Sequence, residues 1–277
     1  MKKRTLFKPE KLQFRILAPS LEQIPSSCFR ASVDPRLHSR LLFDLQLLRG
    51  NALREYYPLA AGLTQDGRHF QSTDAESWHV LLEDEDGRVR ACSRYRHVDG
   101  GFNQLGAHES SLAKSVTFGS AVRRAIESHM RRAQAANMHY GEAGGWVLCP
   151  ELRCSTAAIN IALMTFALAD RLGGGMGITT ATTRHQSASI LRRLGGHRLG
   201  GLPAYYDPKY GCVLEILGFD MKALRAQFAR KLDDLKGRLD SLPIVCQSAG
   251  ENRLPAANEL AFLPQSHRMS SISAVFN

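Results

Sequence analysis

Residues 142–158 read EAGGWVLCPELRCSTAA. Its first part, 144–149, is a strand candidate carrying Trp146, Val147, Leu148 and Cys149, stopped at Pro150, whose missing N–H ends a ladder. A polar turn follows, Arg153-Cys154-Ser155-Thr156, and Ala157 and Ala158 lead into a helix predicted over 156–172. In that helix Ile159, Leu163, Phe166, Ala167 and Asp170 share one register. Strand, proline, small-residue turn and helix N-terminus together present free backbone N–H groups to an anion or a carbonyl oxygen. The same order also serves as a plain strand-to-helix turn capped by Ser155, and spacing leaves both readings open.

Toward the C-terminus, the run 173–177 reads as a glycine-rich turn. It follows a helix, so it is neither a P-loop nor a dinucleotide fingerprint. A β-branched strand is predicted over 178–183, with Thr180 at its centre, then a short helix over 187–194 and a last core strand over 213–219. After Phe219 comes a charged helix with Leu224, Phe228, Leu232 and Leu235 on a narrow stripe. From 244 onward the composition fades into a loose tail. Toward the N-terminus, a helix over 121–136 places Val122, Ile126 and Met130 inward, and 97–111 is loop. Residues 78–82 and 89–95 form a hairpin about Asp86-Gly87. A polar loop containing Pro58, Gly62 and Gly67 separates it from a helix marked by Leu37, Leu41, Leu42, Leu45 and Leu48, started by Asp34-Pro35. The expected division is an extension over 1–30, a core domain over 31–220, a helix over 221–243 and a tail over 244–277.

The chain has 277 residues, 44% hydrophobic and 22% charged, which fits one folded core with extensions. Its basic start is broken by Lys8, Glu10, Lys11 and Arg15 before any signal-length apolar run, and 159–172 is too short to span a membrane. A cytoplasmic location is expected. The six cysteines contain no C-x-x-C pair, so buried, reduced thiols are expected and no metal. A net charge of +10 points to an acidic partner or a nucleic acid. No zinc-finger spacing, homeodomain-like helix or RNP strand accompanies it, which favours an acidic protein or a phosphate-bearing donor.

Four stretches carry a family resemblance: SWHVLLEDEDGRVRACSRYR, GEAGGWVLCPELRCSTAAINIALMTFALADRLG, TTRHQSASILRRLGG and LPAYYDPKYGCVLEILGFD. Together, over about residues 36–220, they resemble the GNAT superfamily, in the branch of N-acyl amino acid synthases and autoinducer (acyl-homoserine lactone) synthases. The resemblance implies a mixed α/β (α+β) fold, a twisted sheet with helices on both faces whose central strands, 144–149 and 178–183, splay apart around a donor's pantetheine. It implies an N-acyltransferase taking an acyl group from acyl-CoA or an acyl carrier protein thioester to a primary amine, with no permanently bound cofactor. An acetyl-CoA enzyme acting on a protein or small amine is the alternative, and a non-catalytic thioester- or RNA-binding module the third.

The same resemblance assigns residues. Amides near Val147 and Leu148 would polarise the thioester carbonyl, and Cys149, Arg153, Cys154, Ser155, Thr156, Ala157 and Ala158, with Thr180, would line the donor. In the pyrophosphate loop Arg153 and Ala158 match the family pattern, but Thr156 replaces a glycine, which points away from CoA and toward a carrier protein. Arg123, Arg124, Arg131 and Arg132 would dock that acidic partner. Glu142 is the candidate general base. Arg49, Asp74 and Arg94 would hold an amino acid acceptor, an arginine taking its carboxylate and Asp74 its ammonium. Tyr206, with Tyr210 beside it, would protonate the leaving thiolate. His185 reads as a capping or core imidazole, and an acyl-enzyme on Cys149 or Cys154 is set aside for want of a nearby base.

Overall fold

The computed structural model describes residues 12–20, 30–57, 62–220 and 226–247. The basic start up to Lys11, Cys28, Pro58, Leu224 and the tail beyond 247 lie outside the described residues. In chain order the elements are β1 (Gln13–Leu17), β2 (Ala31–Val33), α1 (Pro35–Tyr56), β3 (Trp78–Glu83), β4 (Val89–His97), α2 (Gly119–Ala135), β5 (His139–Leu148), α3 (Ala157–Arg171), β6 (Gly174–Thr182), α4 (Ser187–Arg193), β7 (His197–Arg198), β8 (Tyr205–Asp207), β9 (Cys212–Asp220), α5 (Ala226–Leu239) and β10 (Ile244–Cys246).

Local chemistry sets the helices and the hairpin. Asp34 accepts the Leu37 amide at 2.9 Å and Pro35 occupies the first turn, so α1 starts where the sequence predicts. It runs on to Tyr56 and buries Leu41, Leu45 and Leu53 together with His38, Gln46 and Arg49. In the β3–β4 turn Asp84 accepts the amides of Asp86 and Arg88, and Gly87 takes φ +72°.

The strands form one mixed sheet in the order β2-β10-β1-β3-β4-β5-β6-β9-β7, with β8 on β9. The pairs β1·β10, β10·β2 and β5·β6 are parallel and the others antiparallel. Two boundaries of the sequence reading give way here. The segment 1–30 is not wholly an extension, because β1 sits inside the sheet beside β3. The segment from 244 does not start as a loose tail, because β10 lies between β1 and β2. In both cases the pairing partner is far away in sequence, which local periodicity cannot report. The helix before β10 buries Leu232, Leu235 and Leu239 in the same cluster as Ile161, Leu168 and Phe166 of α3.

The glycine-rich run is also corrected: only Gly173, at φ +78°, turns, and Gly174, Gly175 and Gly177 belong to β6. β5 likewise begins five residues before the predicted strand. Both stretches pack under the ring of Tyr95, and a Cβ at Gly141 would stand 2.7 Å from Tyr95 Cζ. Glycine is needed there for close approach, so the strand lacks the β-branched signature. One face of the sheet carries α1 and α2, the other α3, α4 and α5.

Candidate active site

The parallel ladder between β5 and β6 ends at Ala143↔Thr179. Beyond it, β5 continues alone with β4 and β6 alone with β9, so the sheet opens into a V. The cause is local to β5. Between Arg94↔Gly144 and Cys92↔Val147 the register shifts by one residue, and Gly145 sits at φ +59°, which is a bulge that bends β5 away from its neighbour. The bulge also decides which amides face the gap. Cys149 N donates to Arg90 O of β4 at 2.8 Å, so by strand alternation Val147 N points to β4 as well and Leu148 N points into the V. Of the two amides predicted, Leu148 is the one aimed at the opening. Thr180 lies on the β6 arm.

The three residues expected to hold an acceptor do come together, on the α1 face. Arg49 is 2% exposed and grips Asp74 through both guanidinium ends, Nη1 to Oδ1 at 2.8 Å and Nη2 to Oδ2. Asp74 also accepts from Gln46 Nε2 at 3.0 Å and the Gln71 amide at 3.2 Å. Its carboxylate is therefore saturated and is not available for an ammonium. Burial pushes this carboxyl up, but the Arg49 bond and the charges of Arg49, His79 and Arg94 outweigh it and hold it below the usual range. These are buried pairs, not surface ones.

Arg94 differs. Its Nη1 is held by Gln71 Oε1 at 2.9 Å and Thr73 Oγ1 at 2.7 Å, with Asp74 at 3.5 Å. Its Nη2 lies 3.4 Å from where a Cβ on Gly144 would be, and its buried Nε has no partner. Around this cluster Arg49 and Arg94 share Asp74, and Arg96 pairs with Glu142 and with the more exposed Glu76. Burial first, then the Arg49 charge, lower the Arg94 pKa, so an anion beside this partly paired guanidinium would be favoured. Gln71 and Thr73, which aim Arg94, were missed by the sequence reading; nothing in "FQSTD" distinguishes them from loop.

Glu142 faces the same side and is 6% exposed. It accepts from Arg96 Nη2 at 3.1 Å, Gly106 N at 3.0 Å and Ala107 N at 3.3 Å. Three of about four lone-pair directions are thus occupied and one on Oε1 is left. The residue ties the short turn Gly106–Glu109 to the sheet. Glu142→Gln is expected to lower Tm by about 5 °C in scanning calorimetry, because an amide cannot accept all three donors and Arg96 loses its buried partner. An unchanged Tm would mean the turn is held by other contacts.

In the turn before α3, Ser155 Oγ accepts from Ala157 N at 3.1 Å and donates to Leu152 O. Thr156 has φ −71°, an ordinary value, so no glycine is required by the backbone there; the left-handed residue is Cys154, at φ +62°. Cys154 is exposed, a departure from the expected burial, whereas Cys92, Cys149, Cys212 and Cys246 are buried. Burial foremost pushes the Cys149 thiol up, against a nucleophilic thiolate. Arg153 sits over the Tyr56 ring at 4.2 Å and beside Glu55.

Tyr206, on β8, is 59% exposed. Tyr210 instead packs edge-on against Tyr57 at 5.8 Å, and the Tyr57 hydroxyl donates to Thr182 Oγ1 at 3.2 Å across the mouth of the V. The paired tyrosines "YY" at the end of α1 were the only signal for Tyr57. His185 is exposed, takes φ +56°, and meets the Tyr56 ring at 4.4 Å instead of entering a core. Arg123, Arg124, Arg131 and Arg132 are exposed along α2. On the α3 face, at the closed end of the V, a cavity of about 30 Å³ is lined by Tyr95, Gly141, Ala143, Phe166, Gly177 and Phe219.

His69, His79 and His129 are buried and lowered to about 4, each by burial first. Folded imidazoles are then neutral where unfolded ones, near 6.5, take a proton. Their contribution is complete above about pH 6.5 and is lost as pH falls toward 4. Urea unfolding across that range is expected to show a loss on the order of 2 kcal/mol per histidine; a flat profile would contradict their burial as neutral rings.

Among the described residues, no helix is long and apolar enough to cross a membrane, and no group of three or more His, Cys, Asp or Glu could hold a metal. By sequence, no protein-family model and no curated protein matches the chain. By structure, the chain is similar to the CoA-dependent acyl-homoserine lactone synthase BjaI. With SAM and isopentyl-CoA bound, BjaI aligns at TM-score 0.50 and 17% identity, over 91% of this chain and 100% of that one. With MTA bound it aligns at 0.51 and 16%, over the same shares. FeeM, an N-acyl amino acid synthase from uncultured soil microbes, aligns at 0.47 and 11%, over 76% and 92%. The fold is therefore the GNAT-like one that BjaI shares, a mixed α/β sheet with helices on both faces.

Proposed function

We propose that the protein is an N-acyltransferase that moves an acyl group from a CoA or carrier-protein thioester to the primary amine of an acceptor bearing a carboxylate, in the class of amino acids. The observation carrying this is Arg94: a buried, incompletely paired cation at the split in the sheet, with an oriented backbone amide on the adjoining strand. In this reading the thioester carbonyl accepts from Leu148 N–H, and the acyl tip enters the cavity on the α3 face. The acceptor approaches from the α1 face with its carboxylate on Arg94.

The amine nitrogen attacks the carbonyl carbon, the oxyanion builds up against Leu148 N–H, and the C–S bond then breaks. The ammonium proton passes to Glu142 through its remaining Oε1 direction, directly or by one water. Tyr57 or Tyr210 protonates the leaving thiolate and is restored by the second proton that the nitrogen sheds on becoming an amide, so the products are an amide, a free thiol and the one proton held by Glu142. Burial keeps both phenols protonated above their usual range.

The test is to incubate the full chain with acyl-CoA donors and a pool of amino acids, reading N-acyl products by mass spectrometry and released thiol by a colorimetric reagent. Product together with stoichiometric thiol supports the reading, and neither one sinks it. A second reading, an acetyl-CoA-dependent enzyme acting on a protein or small amine, is favoured by the small cavity, about 30 Å³. A donor series from acetyl to decanoyl separates them: a steep fall beyond two carbons selects the second.

A further inference from the structure

The donor-loop cation is already occupied by this chain's own carboxylate. Glu55, at the end of α1, lies 3.4 Å from Arg153 Nη2 and 3.5 Å from Nη1, and its Oε1 also accepts from the Tyr56 hydroxyl. Tyr56 in turn is covered by Arg153 on its face, and His185 meets it edge to face. His185 and Gln186 are consecutive left-handed residues, at φ +56° and +65°, a backbone state that non-glycine residues enter at a cost. Arg184 donates to Tyr56 O and lies over Tyr57. Three elements, the end of α1, the turn before α3 and the segment after β6, thus meet around Tyr56 and the Glu55–Arg153 pair.

The pair itself is long and half exposed, 29% for Arg153 and 49% for Glu55. Exposed pairs of this kind are weak, whereas a phosphate offers a stronger, charge-assisted partner to the same guanidinium. A donor phosphate must therefore displace Glu55 and then tolerate its charge nearby. That penalty grows with the donor's own charge: small for the single phosphodiester of a carrier-bound phosphopantetheine, larger for the diphosphate and extra phosphate of CoA.

We propose that Glu55 is a donor-specificity residue, which by holding Arg153 disfavours the highly charged nucleotide end of CoA relative to a phosphopantetheine thioester. The inference rests on the acyltransferase reading above and adds to it which donor class the site admits. It needs no catalysis to test.

CoA, 4′-phosphopantetheine and phosphate-free pantetheine are titrated calorimetrically into the wild-type chain and into Glu55→Gln, at low salt and at 0.5 M salt as about a tenfold increase in screening ions. Glu55→Gln is expected to tighten CoA about threefold to tenfold, phosphopantetheine less, and pantetheine within about twofold. The gain for CoA should shrink at high salt. Arg153→Gln should abolish the difference between phosphopantetheine and pantetheine. Unchanged or weaker CoA binding in Glu55→Gln overturns the inference, and so does an equal gain for pantetheine, which would indicate removal of bulk, not charge. If none of the three ligands binds either protein, the thioester-donor reading itself fails, and this inference with it; binding without discrimination removes only the role of Glu55.

Discussion

Arg94→Met is expected to reduce kcat/KM for a carboxylate-bearing acceptor by about a hundredfold or more, while Tm stays within about 3 °C of the wild type. The two halves of this result come from the same fact. Arg94 shares Asp74 with Arg49 at 3.5 Å and has a buried Nε with no partner, so its charge is not needed to neutralise the cluster. Removing it leaves no buried anion stranded, because Asp74 keeps both bonds from Arg49. What is lost is the charge presented beside Gly144 to an incoming anion. The control is the methyl ester of the same amino acid: its turnover should change only a few fold, since it never had a carboxylate to place. An equal loss with acid and ester would remove Arg94 from acceptor recognition and leave it a general support of the strand.

Arg49→Met should behave in the opposite way, unfolding about 10 °C lower. Here a carboxylate that is 1% exposed loses its bidentate partner, and breaking a buried pair from one side costs about 3–5 kcal/mol. The double variant Arg49→Met with Asp74→Leu should regain most of that stability, because both charges leave together. Activity should not return with it. Asp74 fixes the Gln71 amide, and Gln71 Oε1 fixes Arg94, so without Asp74 the guanidinium beside β5 is no longer aimed. Recovery of turnover in the double variant would show that Arg94 is positioned by Thr73 alone. The wild-type contribution of Asp74 carries a pH signature too. Its folded value lies below the usual carboxylate range, so that contribution is complete above about pH 4 and is lost only as pH falls through the lower folded value.

The elements readable from sequence are those whose signal is local. Asp34-Pro35 starts α1, Asp84 and Gly87 close the hairpin, and the apolar spacing of α2 and α3 places them within a residue or two of their predicted ends. β5 ends at Leu148, one residue short of its predicted end and two before Pro150. These outcomes depend on neighbours within about four residues, and no distant contact overrides them.

Tertiary structure decided the rest. β1 and β10 are strands because they pair with each other, β1 also with β3 and β10 also with β2, partners that no window of sequence contains. Residues 139–143 and 174–177 are strands although the second is rich in glycine, with Tyr95 packed closely on Gly141 and Gly174. In the candidate site the sequence supplied the residue types, Arg49, Asp74, Arg94 and Glu142, but not their roles. Saturation of Asp74, the partial freedom of Arg94 and the three donors on Glu142 follow from which groups the fold brings within hydrogen-bond distance. The opening segment 142–158 shows both limits together. Its strand, turn and helix were written in its own residues, whereas the direction of the Leu148 amide was set by a one-residue bulge against β4, and the state of Arg153 by Glu55 on a helix nearly a hundred residues earlier.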